Sequence, residues 1–285
     1  MFEIKKITDF YSLYEYHTRI NSPFIYKVEY NDYLISLLED IDSEGNMLFK
    51  NLHTLGAYEN DKLVGFIQYG ISSIGFDESG NISKNINYQI IRQIYFDNID
   101  IGNKLLNNAL SYFNQSQTIY AFFHYFGMSC FARHGKLLYL DSIVESLLIN
   151  NNFEVEHENV YYSIILNSSE PYNISLEHGN INDANKQLIV FKDNDTYLGE
   201  CEIHYVNKEF VYLRWIYINN DIQHKGYGSK CLNALKSYLY NIGIKRLDTD
   251  TAINNTVAQS FYRKNGFINK GNTRSYYLKS KEKLC

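Results

Sequence analysis

The chain has 285 residues, 45% of them hydrophobic, with a net charge of −5 and a pI near 5.9; this suffices for about two ordinary domains with real cores and excludes global disorder. No lysine- or arginine-rich run stands out, so a nucleic-acid partner is not expected, and the mild acidity better suits a cationic or amine-bearing one. The four cysteines (Cys130, Cys201, Cys231, Cys285) are scattered without a CxxC, and no apolar leader or membrane-length run is present, so neither a metal, a disulfide framework nor a membrane partner is expected, and the location expected is the cytoplasm.

In chain order, residues 2–8 (FEIKKIT) alternate as a strand does, Asp9 caps a helix through about Arg19, and a second helix follows from Asp32 to about Asp40. Leu55 to Tyr58, the turn Glu59-Asn60-Asp61 and Leu63 to Tyr69 form a hairpin. A polar loop from Asp77 to Asn85 precedes the apolar strand Tyr88 to Phe96, the helix Gly102 to Phe113 and the strand Ile119 to His124. An aromatic loop, Tyr125 to Gly135, leads to a helix at Asp141 to Asn150 and a strand at Val160 to Leu166. Residues 167–171 (NSSEP) read as a linker, because Pro171 has no N–H to give a sheet. Beyond it lie a strand at Asn173 to His178, a hairpin of Gln187 to Lys192 and Tyr197 to Tyr205 turning at Asp193-Asn194-Asp195, and the strand Phe210 to Ile218. The helix Lys230 to Tyr240, the strand Arg246 to Thr251, a helix opening at Asn255 and closing at Gly266, and a last strand from Ser275 to Leu278 complete the chain.

The halves repeat. GNKLLNNALSYF from Gly102 matches GSKCLNALKSYL from Gly228, and ESLLINNNF from Glu145 lies over QSFYRKNGF from Gln259. Between strand and helix the second copy carries QHKGYGS, Gln223 to Ser229. Gly226 and Gly228 allow a tight turn and close approach of a ligand, and the N–H groups at the helix start make an anion site suited to a diphosphate, with His224 and Lys225 adding positive charge.

Two motifs, Gln223-x-x-Gly226-x-Gly228 and Asn255-x-x-Ala258-x-x-Phe261-Tyr262-x-x-x-Gly266-Phe267, make residues 185–280 resemble the GCN5-related N-acetyltransferase (GNAT) superfamily. The resemblance implies an α/β (α+β) fold of two tandem GNAT-like domains, each a mixed, mostly antiparallel sheet flanked by helices: a degenerate one at 1–166, the linker at 167–171, and an acetyl-CoA-binding one at 172–285. It also implies site roles. Backbone groups of Ile216, Tyr217 and Ile218 would pair with the pantetheine arm and steady the thioester oxygen. The loop Gln223, His224, Lys225, Gly226, Tyr227, Gly228 and Ser229 would hold the diphosphate. Asn255 would contact the arm or merely cap its helix, and Tyr262 would protonate the leaving thiolate or be a core tyrosine.

The first copy lacks this chemistry: Phe96 runs to Gly102 without the Gln-x-x-Gly segment, Leu148 replaces Tyr262 and Asn152 replaces Gly266. It is expected to bind no acetyl-CoA, or to bind it only weakly. Between its first strand and its hairpin the second copy has only Gly179 to Lys186, where the first has two helices, so the N-terminal half is expected to help wall the acceptor site, with the loop 126–135 (bearing Arg133 and His134) leaning over it. The position where many family members carry a carboxylate on the fourth strand is Tyr212, which leaves Glu200, Glu202, His204 or no residue as general base. Cys201 and Cys231 read as core or surface residues and Trp215 as a core residue. The composition, rich in Asn, Ile, Lys and Tyr, resembles AT-rich bacterial coding. The expectation is an acetyl-CoA-dependent N-acetyltransferase acting on a primary amine of a small molecule or peptide by direct transfer in a ternary complex; the alternative is a non-catalytic acyl-CoA-binding sensor or scaffold. Oligomeric state and acceptor identity do not follow from the sequence.

Overall fold

The computed structural model describes every residue except 1, 21–27, 42–44, 78, 80, 132–134, 139–141, 170, 180–184 and 281–285. The first repeat runs β1 (Glu3–Lys6), α1 (Phe10–Arg19), α2 (Tyr30–Leu38), β2 (Phe49–Glu59), β3 (Lys62–Ser72), β4 (Gly75–Phe76), β5 (Ile82–Ser83), β6 (Gln89–Phe96), α3 (Ile99–Tyr112), β7 (Ile119–Ala121), α4 (Ile143–Asn150) and β8 (Glu154–Ile165). The second runs β9 (Ser175–Gly179), β10 (Lys186–Asp193), β11 (Thr196–Asn207), β12 (Phe210–Ile218), α5 (Tyr227–Asn241), β13 (Arg246–Ala252), α6 (Thr256–Lys264) and β14 (Ile268–Leu278).

Local chemistry sets these elements. The Asp9 carboxylate accepts from the N–H of Tyr11 and of Ser12, both at 3.1 Å, and so starts α1. The β2–β3 turn holds Asn60 and Asp61 at φ 49° and 61°, the left-handed pair that matches hairpin twist. Helix α6 ends on Gly266 at φ 88° and α4 on Asn152 at φ 63°, so asparagine makes in the first repeat the cap that glycine makes in the second. The polar loop at 77–85 contains the end of a small hairpin, β4 with β5, because Asp77 folds back to accept from the N–H of Ser79 and of Asn81.

The chain divides into two compact units, one of residues 1–158 with 273–285 and the other of residues 159–272. The division therefore falls within β8 and β14, and residues 167–171, expected as the linker, lie inside the second unit. In the first unit the strand order is β1-β2-β3-β6-β7-β14, with Tyr276 to Leu278 of β14 antiparallel to β7. In the second it is β8-β13-β12-β11-β10-β9, with residues 159–165 of β8 antiparallel to β13. The last strand of each repeat thus completes the sheet of the other repeat's unit. The pairs β6–β7 and β12–β13 run parallel.

In the first unit Leu105, Leu106 and Ala109 of α3 and Leu147 and Leu148 of α4 are buried with Ile67, Ile91 and Ile94. In the second, Cys231, Leu232, Leu235 and Leu239 of α5 and Tyr262 of α6 are buried with Ile189, Cys201, Ile203, Val211, Leu213 and Leu247. The helices therefore cover one sheet face, and alternation sends the intervening residues to the other.

The first unit also holds a buried charge. Arg92 sits on β6 at a bulge, between the pairs Gln68↔Gln93 and Tyr69↔Ile91. Its guanidinium is ion-paired with Asp40, and it donates to the carbonyls of Ser36 (3.0 Å), Phe126 and Gly127 (both 2.9 Å). The Asp40 carboxylate also accepts from the Ser129 hydroxyl at 2.5 Å. Removing the carboxylate strands a desolvated cation, so Asp40→Ala is expected to lose about 3–5 kcal/mol in urea unfolding. Replacing both partners by apolar residues, as in Asp40→Leu with Arg92→Met, should recover much of it; no recovery would show that the pair does more than neutralise itself.

Candidate active site

The site is built where β12 leaves β13. The two strands pair from Phe210↔Arg246 to Leu213↔Thr249 and then part. The cause is a bulge: on β11, Glu202 faces Trp215 and the next residue, Ile203, faces Leu213, so Arg214 is an extra residue that bends β12. From Trp215 to Ile218 the strand pairs with β11 alone. Its other edge is open toward the gap, which leaves peptide groups of Ile216 and Tyr217 for an extended ligand. The first repeat keeps the same geometry, with β6 and β7 paired only from Gln89↔Ile119 to Ile91↔Ala121.

The start of α5 follows directly. Gly226 is its N-cap at φ 86°, with no side-chain cap bond and no acidic residue in the first turn. A Cβ built on Gly226 would meet nothing within 4 Å, whereas one on Gly228 would lie 3.2 Å from the Phe261 ring. Gly226 is thus needed for its backbone angle and Gly228 for the close approach of helix α6. The N–H groups at this helix start have no side-chain cap, and His224, Lys225 and Lys230 are exposed nearby. This cradle fits a diphosphate. The Gln223 side chain turns away from it, donating to the Ile218 carbonyl at 2.9 Å and to Asn220 Oδ1 at 2.8 Å, and so braces the loop; Lys225 Nζ donates to the Asp221 carbonyl. His224 takes φ 60°, and the Lys230 ammonium lies over the Tyr227 ring, 4.9 Å from its centre. Ser229 lies in the first turn of α5 and is half-buried.

The corresponding place in the first repeat is closed. Asn98 caps α3 by accepting from the Ile101 N–H at 3.1 Å, Asp100 lies in the first turn, and the Phe96 ring stands 2.7 Å from where a Gly102 Cβ would be. Leu148, the counterpart of Tyr262, is fully buried.

Tyr262 lies behind the parting of the strands. It is 5% exposed, packs on Tyr162, Phe261 and Phe267, and is hydrogen-bonded to Thr249, whose hydroxyl donates to the Leu213 carbonyl at 3.0 Å. Burial, with the Asp250 charge nearby, pushes its phenol up to about 12, so it holds its proton at neutral pH. Asn255 is the N-cap of α6, accepting from the Ala258 N–H at 3.1 Å.

On the opposite face, Glu200, Glu202 and His204 stand on β11. Glu202 is ion-paired with Arg214 and accepts from Trp215 Nε1 at 3.2 Å; Glu200 bonds Tyr197; His204 is buried. Trp215 is 37% exposed at the bulge, not in the core. Cys201 and Cys231 are core thiols, Cys231 pushed up to about 12 by burial. Among the loop residues 126–135, Phe126 and Met128 are buried, and residues 132–134, with Arg133 and His134, lie outside the described residues.

A pair of aspartates escaped the sequence reading. Asp248 and Asp250 of β13 share a face with Tyr161, Asn159 and Tyr212. Asp248 is fully buried between the Arg246 guanidinium and the Tyr161 hydroxyl (2.8 Å). Asp250 accepts from the Tyr212 hydroxyl at 2.5 Å and from Asn159 Nδ2 at 2.6 Å. The signal was the alternation in LDTDTA, which by itself marks a strand without saying which face is enclosed.

Comparisons with known proteins agree with this geometry. The profile of the Acetyltransferase (GNAT) family matches residues 152–267. Among solved structures, a tandem GNAT protein from the clavulanic acid biosynthesis pathway aligns over 99% of this chain and 100% of its own at 9% identity and a TM-score of 0.63. A GCN5-related N-acetyltransferase from Sphaerobacter thermophilus aligns over 99% and 97% at 10% identity and 0.59. A glucosamine N-acetyltransferase region of a fungal multi-domain β-N-acetylglucosaminidase aligns over 98% of this chain but 38% of its own, at 10% identity and 0.64. A search of curated proteins by sequence finds no match. Among the described residues no helix is long and apolar enough to cross a membrane, and no cluster of three or more metal-binding side chains occurs. Residues 152–267 match the Acetyltransferase (GNAT) family, and the chain as a whole shares the fold of tandem GNAT proteins.

Proposed function

We propose that this protein is an acetyl-CoA-dependent N-acetyltransferase with one working site, in the second unit, that transfers acetyl to a primary amine of a small molecule or peptide within a ternary complex. The observation that carries the reading is the conjunction, in one unit, of an open β12 edge beyond Leu213 with an uncapped, acid-free helix start at Gly226. Acetyl-CoA supplies an activated acetyl thioester. The residues of this chain do the rest. Peptide groups of Ile216, Tyr217 and Ile218 align the pantetheine arm, and the N–H groups of Tyr227, Gly228 and Ser229 take the diphosphate, with His224 and Lys225 beside them. Tyr262 keeps a proton for the departing sulfur, and Asn255 holds the helix that carries it.

The first repeat keeps the parted strands but has a capped and acidic helix start, so it contributes no second cofactor site. Calorimetric titration with acetyl-CoA is expected to give one site per chain. Two sites would overturn the account of the first repeat, and none would overturn the reading as a whole.

A further inference from the structure

We propose that Asp250 is the group that takes the proton from the acceptor amine. The inference rests on the transferase reading above and adds the base that the β11 residues do not supply. Asp250 is the first β13 residue beyond the last pair with β12, Leu213↔Thr249, so it flanks the gap. Its neighbour Thr249 faces the other way and bonds Tyr262. Consecutive residues of one strand thus place a carboxylate on one face and the Tyr262 phenol on the other, with the parting of the strands between them.

The carboxylate is held for use. Its Oδ1 accepts from the Tyr212 hydroxyl and its Oδ2 from the Asn159 amide, at 2.5 and 2.6 Å. Asp250 is half-buried, while Asp248, two residues back, is fully buried and tied to Arg246 and Tyr161. Glu202 is occupied by Arg214 and Trp215. The titratable and charged groups around Asp250 are Tyr212 from β12, Tyr161 from β8, Asp248 and Arg246 from its own strand, Tyr262 from α6, and His204, which faces Tyr212 in register on β11.

The step balances as follows. An alkylammonium gives one proton to Asp250, and its nitrogen forms the C–N bond to the acetyl carbon as the C–S bond breaks. The nitrogen's second excess proton leaves to solvent, Tyr262 protonates the sulfur, and Asp250 and Tyr262 are restored by proton exchange with water. The products are an amide, a thiol and one proton.

The test uses the full chain and the best acceptor from a panel of tyramine, spermidine, glucosamine and lysine amide, followed by thiol release. Asp250→Asn, which keeps the shape, is expected to lower kcat/KM about 10²-fold at neutral pH with acetyl-CoA affinity unchanged. The loss should shrink to roughly threefold as pH approaches ~10, where an alkylamine sheds its own proton in solution. A loss of equal size at every pH would make Asp250 a structural residue and overturn the proposal, as would no loss at all; in both cases wild-type turnover leaves the transferase reading standing. Acetyl-CoA binding by the wild type without transfer to any amine of the panel would overturn both.

Discussion

Gly226→Glu is expected to abolish acetyl-CoA binding in a protein that stays folded. Two effects act together. The first is conformational: Gly226 is at φ 86°, and a side chain there costs about 1–2 kcal/mol of local strain. The second is electrostatic and larger. Space around Gly226 is open, so the new carboxylate finds room, and it finds it at the N-terminus of α5, where the peptide N–H groups have no side-chain cap. It then caps the helix itself and repels a diphosphate from the same N–H groups. A like-charge pair about 4 Å apart costs roughly 1 kcal/mol in water and 4 at an effective dielectric near 20, and a diphosphate carries more than one charge. Together these raise Kd by at least about 10²-fold. Gly226→Asn separates them: asparagine tolerates positive φ and adds no charge, so it should bind within about tenfold of the wild type. Both variants would be followed by calorimetry, with circular dichroism to establish that each is folded. If Asn and Glu weaken binding equally, backbone angle matters and charge does not, and the diphosphate belongs elsewhere.

The contrast with the first repeat shows why this loop was legible. An anion site of this kind is local, made by a few consecutive residues whose types carry the meaning: glycine where φ is positive, no acid in the first turn, no capping side chain. Asn98 and Asp100 carry the opposite meaning at the start of α3 and are equally readable. Helix α1 with its Asp9 cap and the hairpin turn at Asn60-Asp61 were legible for the same reason. What the sequence hid was decided between distant segments. Strand β8 serves both units and β14 returns to the first, yet neither has a residue that announces its partner. The linker-like composition of 167–171 marks a break between repeats, which differs from a break between compact units. The hairpin strands β2 and β3 run further than their alternation suggested, since β3 is buried almost throughout and so loses its period of two. The bulge at Arg214 also left no mark, because it arises from the register between β11 and β12. Asp250 went unseen for want of knowing which face of β13 is enclosed.

This division also bears on what a half-chain can do. Residues 172–285 alone would lack β8, the strand that borders β13 and supplies Asn159 and Tyr161 to the two aspartates. The proposed site therefore draws on β8 of the first repeat, even though the residues proposed to face the cofactor lie in the second.

Tyr262→Phe is the substitution that separates an enzyme from a binding protein. The phenol ring packs among Tyr162, Phe261 and Phe267, and phenylalanine fills the same volume, so the core is kept. What disappears is the hydroxyl and its bond to Thr249, a loss of about 1 kcal/mol in stability. Acetyl-CoA affinity should stay within about threefold, since on this account the hydroxyl acts when the C–S bond breaks and not when the thioester docks. Turnover should fall about 10²–10³-fold, the usual worth of a positioned proton donor. The pH dependence follows from the same burial. With the phenol pushed up to about 12, it is protonated throughout the neutral range, so the wild type should show no alkaline loss of kcat from this group below that value. Lowered turnover with intact binding would place Tyr262 in the chemistry. A variant that turns over as fast as the wild type would make the thiolate leave unassisted and return Tyr262 to the core. A wild type that binds acetyl-CoA tightly, with neither protein turning over any amine of the panel, would establish the chain as an acyl-CoA-binding protein that keeps the cradle without the transfer.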